Sequence, residues 1–398
     1  MFALTDLLQQ ELIGLCRDLI RIPSVNGQNT EKEVVNAITQ FTEEHGLNTE
    51  ILRADPERPC VLVEAGPSGD NALLLIAHTD TVGVGEEKAW DLPPFEGAIA
   101  DGKIFGRGAA DNKGGIVAAI GALLLLKDLS ASILNRPVCL VCVPDEESGA
   151  TGKLGVKFLH TSGKLSAPGA IYTYPGLETI NIGHRGVWRI RLHTYGKSFH
   201  TGSRRWQDED KSYNALTGMC ELLLALEHLK FEHESVTPLF ERFATVITPT
   251  FMKGGIGPST TPDHCESLVD IRLVPSYPRE RLQSLINDLI SEICQKRPFL
   301  RVEISTEVEV PPTCIPEDSA VAVSLADSIE ECLNKSPQFA VSGPANESYL
   351  LNQIGIPTCC AGPDGNNTHS ANEYVSVDSI FHAAQIYATT AVKVCRRL

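Results

Sequence analysis

Positive charge is scarce in this chain. Against 34 Lys and Arg stand 50 Asp and Glu, a formal net charge of −16 over 398 residues. That balance excludes the basic patches by which proteins hold nucleic acid or anionic membranes. The acid is spread along the chain, so it speaks mainly for solubility. Long apolar runs are lacking as well, and no segment reads as able to span a membrane. Met1–Ile22 reads as an amphipathic helix carrying Asp6, Glu11, Arg17 and Asp18. It has neither the basic start nor the unbroken apolar stretch of a secretory leader. No internal repeat or low-complexity tract is present. The twelve cysteines are scattered. Cys139-x-x-Cys142 has redox or zinc spacing, but it lacks a second pair and falls inside a strand pattern. The cysteines therefore read as buried free thiols, and the expected location is the reducing cytoplasm.

What is present is ordinary globular material, 42% apolar and 21% charged, in a chain long enough for two domains. From Met1 to about Gly183, helical and strand patterns alternate: helix Glu31–His45, strand Leu73–Ala77, helix Gly115–Lys127, strand Val138–Val143. This predicts βαβ units and a mostly parallel sheet. The period then changes. Gly186–Tyr195 sets Val187, Arg189 and Arg191 against Trp188, Ile190 and Leu192, the pattern of a half-exposed strand. A helix at Tyr213–Leu229, strands around Phe243–Thr248 and Glu266–Val274, a helix at Pro278–Lys296 and a strand at Leu300–Glu307 follow. Their β-α-β-β-α-β order is the ferredoxin-like unit. After Pro311-Pro312 the α/β character resumes with the helix Ser319–Leu333. The expected fold is thus α/β. A mostly parallel-sheet domain comes from residues 1–184 and 311–398, and a ferredoxin-like α+β domain, residues 185–310, is inserted in it.

Polar residues gather where buried strands end. Leu73-Leu74-Leu75-Ile76-Ala77 runs into His78-Thr79-Asp80, and residues two apart on an extended chain share a face. Asp80 can then hold one ring nitrogen of His78 while the other binds a metal. The loop Gly106–Gly115 has Asp111 at its centre and leads into an apolar helix, where Asp111 also reads as a helix cap. Val138–Pro144 ends in Asp145-Glu146-Glu147-Ser148-Gly149, and Ile356–Gly362 is followed by His369. A His, an Asp, a Glu pair and a late His make an N/O ligand set suited to Zn²⁺ or a similar ion acting as a Lewis acid.

Eight short motifs carry a resemblance. They are Ala77-His78-Thr79-Asp80-Thr81-Val82, Trp90 with Pro94-Phe95, Gly106-Arg107-Gly108 through Asp111-Asn112-Lys113-Gly114-Gly115, and Asp145-Glu146-Glu147-Ser148-Gly149. Then come Ile182-Gly183-His184-Arg185-Gly186, Gly196-Lys197-Ser198-Phe199-His200-Thr201, Asp270-Ile271-Arg272, and His369 followed by Glu373-Tyr374-Val375. In this order they resemble the metallo-aminoacylase and carboxypeptidase family. It includes acetylornithine deacetylase, succinyl-diaminopimelate desuccinylase, aminoacylase, carnosinase-type dipeptidases and glutamate carboxypeptidase. The resemblance covers nearly the whole chain. It implies two metals, zinc or in its place Co²⁺ or Mn²⁺, sharing Asp111, one also held by His78 and the other by Glu147 and His369. It implies that Glu146 is the general base toward a metal-activated water, that Asp80 orients His78, and that His200 reaches across a homodimer, built through the inserted domain, to the tetrahedral oxyanion. Arg272 would bind a substrate carboxylate or else pair with Asp270. His184 and Arg185, at the domain junction, read as hinge residues.

The chain departs from the family at three places. The acidic ligand expected before Pro175 is Tyr174, a poor ligand whose ordinary pKa is near 10. Glu178 could replace it only if the loop changed register. Ser259 stands where the family's substrate-contacting asparagine is usual, and Gly343-Pro344-Ala345-Asn346-Glu347 stands where many relatives carry Gly-Thr-Asp. The expectation is one tightly bound ion and a weakened second site. The expected activity is hydrolysis of an N-acyl amino acid, acetylornithine deacetylase-like, or of a small peptide by a dipeptidase or carboxypeptidase. The alternative is a non-catalytic binding or regulatory protein of the same family.

Overall fold

Four short strands with almost no polar residues form the centre of the larger sheet. Val138–Val143, Leu73–His78, Ala170–Tyr172 and Thr358–Gly362 lie side by side in that order, all parallel. Every residue in them is buried. Alternate side chains point to opposite faces, so both faces are covered, as the aliphatic runs predict. Flanking pairings are antiparallel: the hairpin Asn48–Asp55 with Arg58–Ala65, the junction of Arg58–Ala65 with Val138–Val143, and Gly176–His184 beside Thr358–Gly362. The fold is mixed α/β with a parallel centre.

The computed structural model describes residues 2–208, 211–231 and 238–397. Met1, where the expected N-terminal helix begins, and Leu398 lie outside the described residues. The helix itself runs Asp6–Arg21, and the Thr5 hydroxyl accepts the Leu8 N–H at its start. Helix Gly114–Leu126 packs on the central strands and on the long helix Val377–Arg397. The stretch Ala109–Leu126 is long and apolar enough to cross a bilayer, against the expectation that no segment is. It is 94% buried in the molecule, because a core helix between a covered sheet and a second helix must be apolar all round. All twelve cysteines are free. Burial pushes the Cys139 and Cys142 thiols up, so the Cys-x-x-Cys pair stays protonated.

Contacts divide the chain into two units: Met1–Gly183, Cys314–Ala340 and Asn346–Leu398 in one, His184–Thr313 with Val341–Ala345 in the other. In the second, strands 246–254, 264–273, 186–195 and 301–310 are neighbours in that order, each pair antiparallel. Helices Ala215–Glu227 and Arg279–Lys296 complete the β-α-β-β-α-β order. Trp188, Ile190 and Leu192 pack against Leu222, Leu226, Leu282 and Ile286 of those helices. The opposite face carries Arg189, Arg191, Asp270 and Arg272, as the alternation requires. One strand differs from expectation, running Val246–Gly254 instead of Phe243–Thr248. Phe243 lies under the Arg185 guanidinium, 4.7 Å from it.

Candidate metal centre

His78 is the last residue of its strand and fully buried. Its Nδ1 faces the main-chain carbonyl of Asp80 at 2.9 Å and that residue's Oδ1 at 3.4 Å, which directs Nε2 the other way. The Asp80 carboxylate has further partners. It accepts the N–H groups of Glu146 (3.3 Å) and Glu147 (3.0 Å) and the Asn26 amide (2.8 Å). Asp80 thus ties the end of one strand to the glutamate turn after another.

Asp111 lies between the loop Gly106–Gly108 and helix Gly114–Leu126. Its Oδ1 is 2.8 Å from His78 Nε2 and its Oδ2 is 3.4 Å from His369 Nε2, one oxygen for each histidine. It does not cap the helix; Lys113 occupies that position, without a side-chain cap. The helix can start this close to the strand because Gly115 has no side chain: a Cβ there would stand 2.4 Å from the Thr173 hydroxyl. The loop is held by Glu373, whose carboxylate accepts the N–H groups of Gly108, Ala110 and Asp111, each at 3.0 Å, and the Arg107 guanidinium. All four partners are donors: burial pushes the Glu373 carboxyl up, and the Arg107 charge with the Asp111 and Gly108 N–H groups opposes it. Asn112 joins the parts, taking the His78 N–H and the Thr173 hydroxyl on its oxygen and donating to the Thr173 carbonyl.

His369 sits in an exposed turn with its Nε2 3.1 Å from Glu147 Oε1. Hydrogen bonds to Asp111 and Glu147 hold its pKa up to about 10. Burial presses His78 downward, but the Asp111 and Asp80 carboxylates outweigh it and hold the ring well above its ordinary value. Burial likewise opposes charge on Asp111, yet His369 and His78 keep it below the usual carboxylate range. Burial pushes Glu146 up to about 8, with Glu147 adding and His78 opposing. That places a carboxylate near the working pH of a general base.

Two overlapping triads, His78–Glu146–Glu147 and Asp111–Glu147–His369, each bring their ligand atoms within 4.8 Å of one another. Bonds of about 2.0–2.2 Å in a tetrahedral shell set ligand atoms roughly 3.3 Å apart; His369 Nε2 lies 3.1 Å from Glu147 and 3.4 Å from Asp111 within the second triad, and His78 Nε2 lies 2.8 Å from Asp111 between the two. Three carboxylates around two imidazoles carry surplus negative charge, which protons answer in this arrangement and a divalent cation would answer equally. The residues fit such an ion.

Tyr174 stands beside this cluster. Its ring centroid is 5.7 Å from that of His78 and 4.7 Å from Tyr172, on which it stacks, and its side chain hydrogen-bonds Glu146. Burial and the Glu146 charge push its phenol well above its ordinary value, so Tyr174 is a neutral donor here. Glu178 is exposed on the strand Gly176–His184 and paired with Lys335, and it is in neither ligand triad. His200, Ser259 and Arg272 belong to the second unit. His200 and Ser259 are exposed there, and Arg272 pairs with Asp270 at 2.7 Å. Glu373 and Asn112 enter the sequence reading only as motif letters, yet they shape the site. The signal was Glu373 lying four residues after His369 at the start of a short strand.

Residues 74–393 match Peptidase family M20/M25/M40. The chain is 27% identical over 410 residues to an uncharacterised metallohydrolase of Methanocaldococcus jannaschii, covering 95% of this chain and 98% of that protein. It is 24% identical over 417 residues to a probable succinyl-diaminopimelate desuccinylase of Staphylococcus aureus, covering 98% and 99%. A solved M20 family metallo-carboxypeptidase from Sulfolobus solfataricus has the same fold, with a TM-score of 0.76 at 19% identity over 99% of this chain and all of that one.

Proposed function

From the premise that this chain belongs to Peptidase family M20/M25/M40 and is a metallohydrolase, we propose that it cleaves the amide bond of an N-acyl amino acid, in the manner of an acetylornithine deacetylase. Hydrolysis of a dipeptide or of a peptide's carboxyl end is the nearest variant. The observation that carries this reading is Asp111, with one oxygen toward His78 and the other toward His369, and Glu147 beside His369. His78, Asp111, Glu147 and His369 would hold the metal, zinc by preference, with Co²⁺ or Mn²⁺ as substitutes. A divalent ion there would supply Lewis acidity, lowering the pKa of water and polarising the amide carbonyl.

Glu146 takes the proton from the attacking water and returns it to the leaving amine. Asp80 fixes the ring of His78 through its carbonyl and fixes the Glu146–Glu147 turn through its carboxylate. His200 donates to the oxyanion, Arg272 grips the substrate carboxylate, and Ser259 lines the substrate site. The enzyme works as a cytoplasmic homodimer joined through the inserted unit. Because Tyr174 offers a neutral phenol beside His78, one ion is held tightly, by Asp111, Glu147 and His369, and the second weakly.

Tyr174 also favours a second reading, a member that has lost catalysis and only binds. A screen of N-acetyl and N-succinyl amino acids and dipeptides with added Zn²⁺, Co²⁺ or Mn²⁺, run beside Glu146→Gln, separates the two. The hydrolase reading expects turnover that the variant lowers by at least a hundredfold while its metal content stays unchanged. Turnover on none of these substrates favours the binding reading.

A further inference from the structure

The open face of the second unit's sheet carries mostly charged pairs, with Arg191 between Glu266 and Glu307 and Arg301 beside Glu303. Two histidines break that pattern. His193 lies on strand Gly186–Tyr195, and His264 begins strand His264–Leu273. His264 is the direct partner of Tyr195, and His193 lies two residues before Tyr195 on the same face. The histidines are thus diagonal cross-strand neighbours, with backbones roughly 7–8 Å apart and side chains long enough to meet. They do meet: His193 Nδ1 is 3.0 Å from His264 Nε2.

That contact sets two metal-ligating atoms face to face. In an N–H···N bond one ring nitrogen donates and the other accepts on a bare lone pair. Bonds of about 2.0–2.1 Å to a tetrahedral Zn²⁺ set two nitrogens roughly 3.3 Å apart, close to the 3.0 Å found here. The rings lie 18° from parallel, His264 is exposed and His193 half-buried, so both can turn toward an ion arriving from solvent. Carboxylates flank the pair. Glu266 and Glu303 are the direct partners of His193 on its two sides and share its face. Directly opposite residues have Cβ atoms about 4.5–5.5 Å apart, which brings either carboxylate within reach as an oxygen donor.

We propose that His193 and His264 form a second metal site, a two-imidazole site for Cu²⁺, Ni²⁺ or Zn²⁺ completed by water and one flanking carboxylate. On binding, the proton between the rings moves to the far nitrogen of its own ring, so both facing nitrogens become ligands. The site differs in kind from the carboxylate-rich cluster at Asp111. Imidazole pairs select Cu²⁺, Ni²⁺ and Zn²⁺, whereas Mn²⁺ and Mg²⁺ prefer oxygen. An ion here ties two neighbouring strands together and braces the second unit. The proposal rests on no reading of the activity, because both histidines lie within the second unit and neither belongs to the ligand triads.

Titration calorimetry of the full chain, stripped with a chelator and then given Ni²⁺ or Mn²⁺, tests the site without any turnover. Ni²⁺ is expected to show a binding event that His193→Gln and His264→Gln each weaken at least tenfold and that His369→Gln leaves in place. Mn²⁺ should show no event that depends on either histidine. Ni²⁺ binding unchanged in both variants, with their metal-free melting unaltered, overturns the proposal, as does a His193-dependent event that Mn²⁺ produces as tightly as Ni²⁺. Electron paramagnetic resonance of Cu²⁺ on the unsubstituted chain decides the matter where a substitution alters melting. One ion coupled to two imidazole nitrogens, present also in His369→Gln, supports the site, and its absence from both proteins overturns it.

Discussion

Replacing Glu373 by glutamine removes a charge without removing volume, and its effect follows from four contacts. The carboxylate accepts three main-chain N–H groups and the Arg107 guanidinium, and the two side chains of that ion pair are 2% and 1% exposed. Glutamine keeps one acceptor oxygen, turns the other position into a donor that faces donors, and leaves Arg107 buried without its counter-charge. Removing one partner of a buried pair costs about 3–5 kcal/mol. Hydrogen bonds to a charged acceptor are worth about 1.5–3 kcal/mol each, and the amides lose part of that as well. One of those amides belongs to Asp111, so some of the loss appears as freedom of Asp111 between His78 and His369. The expected outcome for Glu373→Gln is a loss of about 3–5 kcal/mol in urea unfolding of the larger unit. A tenfold or greater weakening of metal retention in dialysis should accompany it, although Glu373 is no ligand. A loss below about 1 kcal/mol with metal affinity intact would refute the argument that this carboxylate holds the Asp111 loop.

Two further predictions concern the metal itself. Substituting Tyr174→Asp places a carboxylate beside His78, and the number of ions retained per chain should rise from one toward two; an unchanged count in metal analysis contradicts the role given to the phenol. His369 is held up to about 10 and His78 above its ordinary value, so both rings carry protons at neutral pH and must lose them to become ligands. Metal affinity should therefore rise with pH below about 10, about tenfold per unit for each proton displaced. Calorimetry in two buffers of different ionisation enthalpy counts those protons, and binding with none released would rule the exchange out.

Much of the candidate site was legible because the residues proposed as ligands stand where apolar strands stop. His78 and Glu147 follow unbroken aliphatic runs, and Asp111 sits among glycines that let a helix begin against a strand. What stayed hidden depends on contacts between distant parts of the chain. Nothing local shows that Glu373 closes on amides about 265 residues earlier, or that Asp80 spends its carboxylate on the glutamate turn and meets His78 chiefly through its carbonyl. Nor does the sequence show that Phe243 leaves the strand pattern to lie under Arg185. The hairpin Asn48–Ala65 went unread because its first strand has no buried residue and lacks the aliphatic run that marks the others. The segment Val341–Ala345, which groups with the second unit, carries no compositional mark of doing so.

The most direct measurement is to strip the protein with a chelator, restore Zn²⁺ in known amounts, and follow hydrolysis of an N-acyl amino acid against ions bound. Hydrolysis should be absent at the start and rise in proportion to the ion count up to one per chain. Turnover that survives full metal removal, or none at any loading, would contradict a hydrolase built on Asp111, Glu147 and His369.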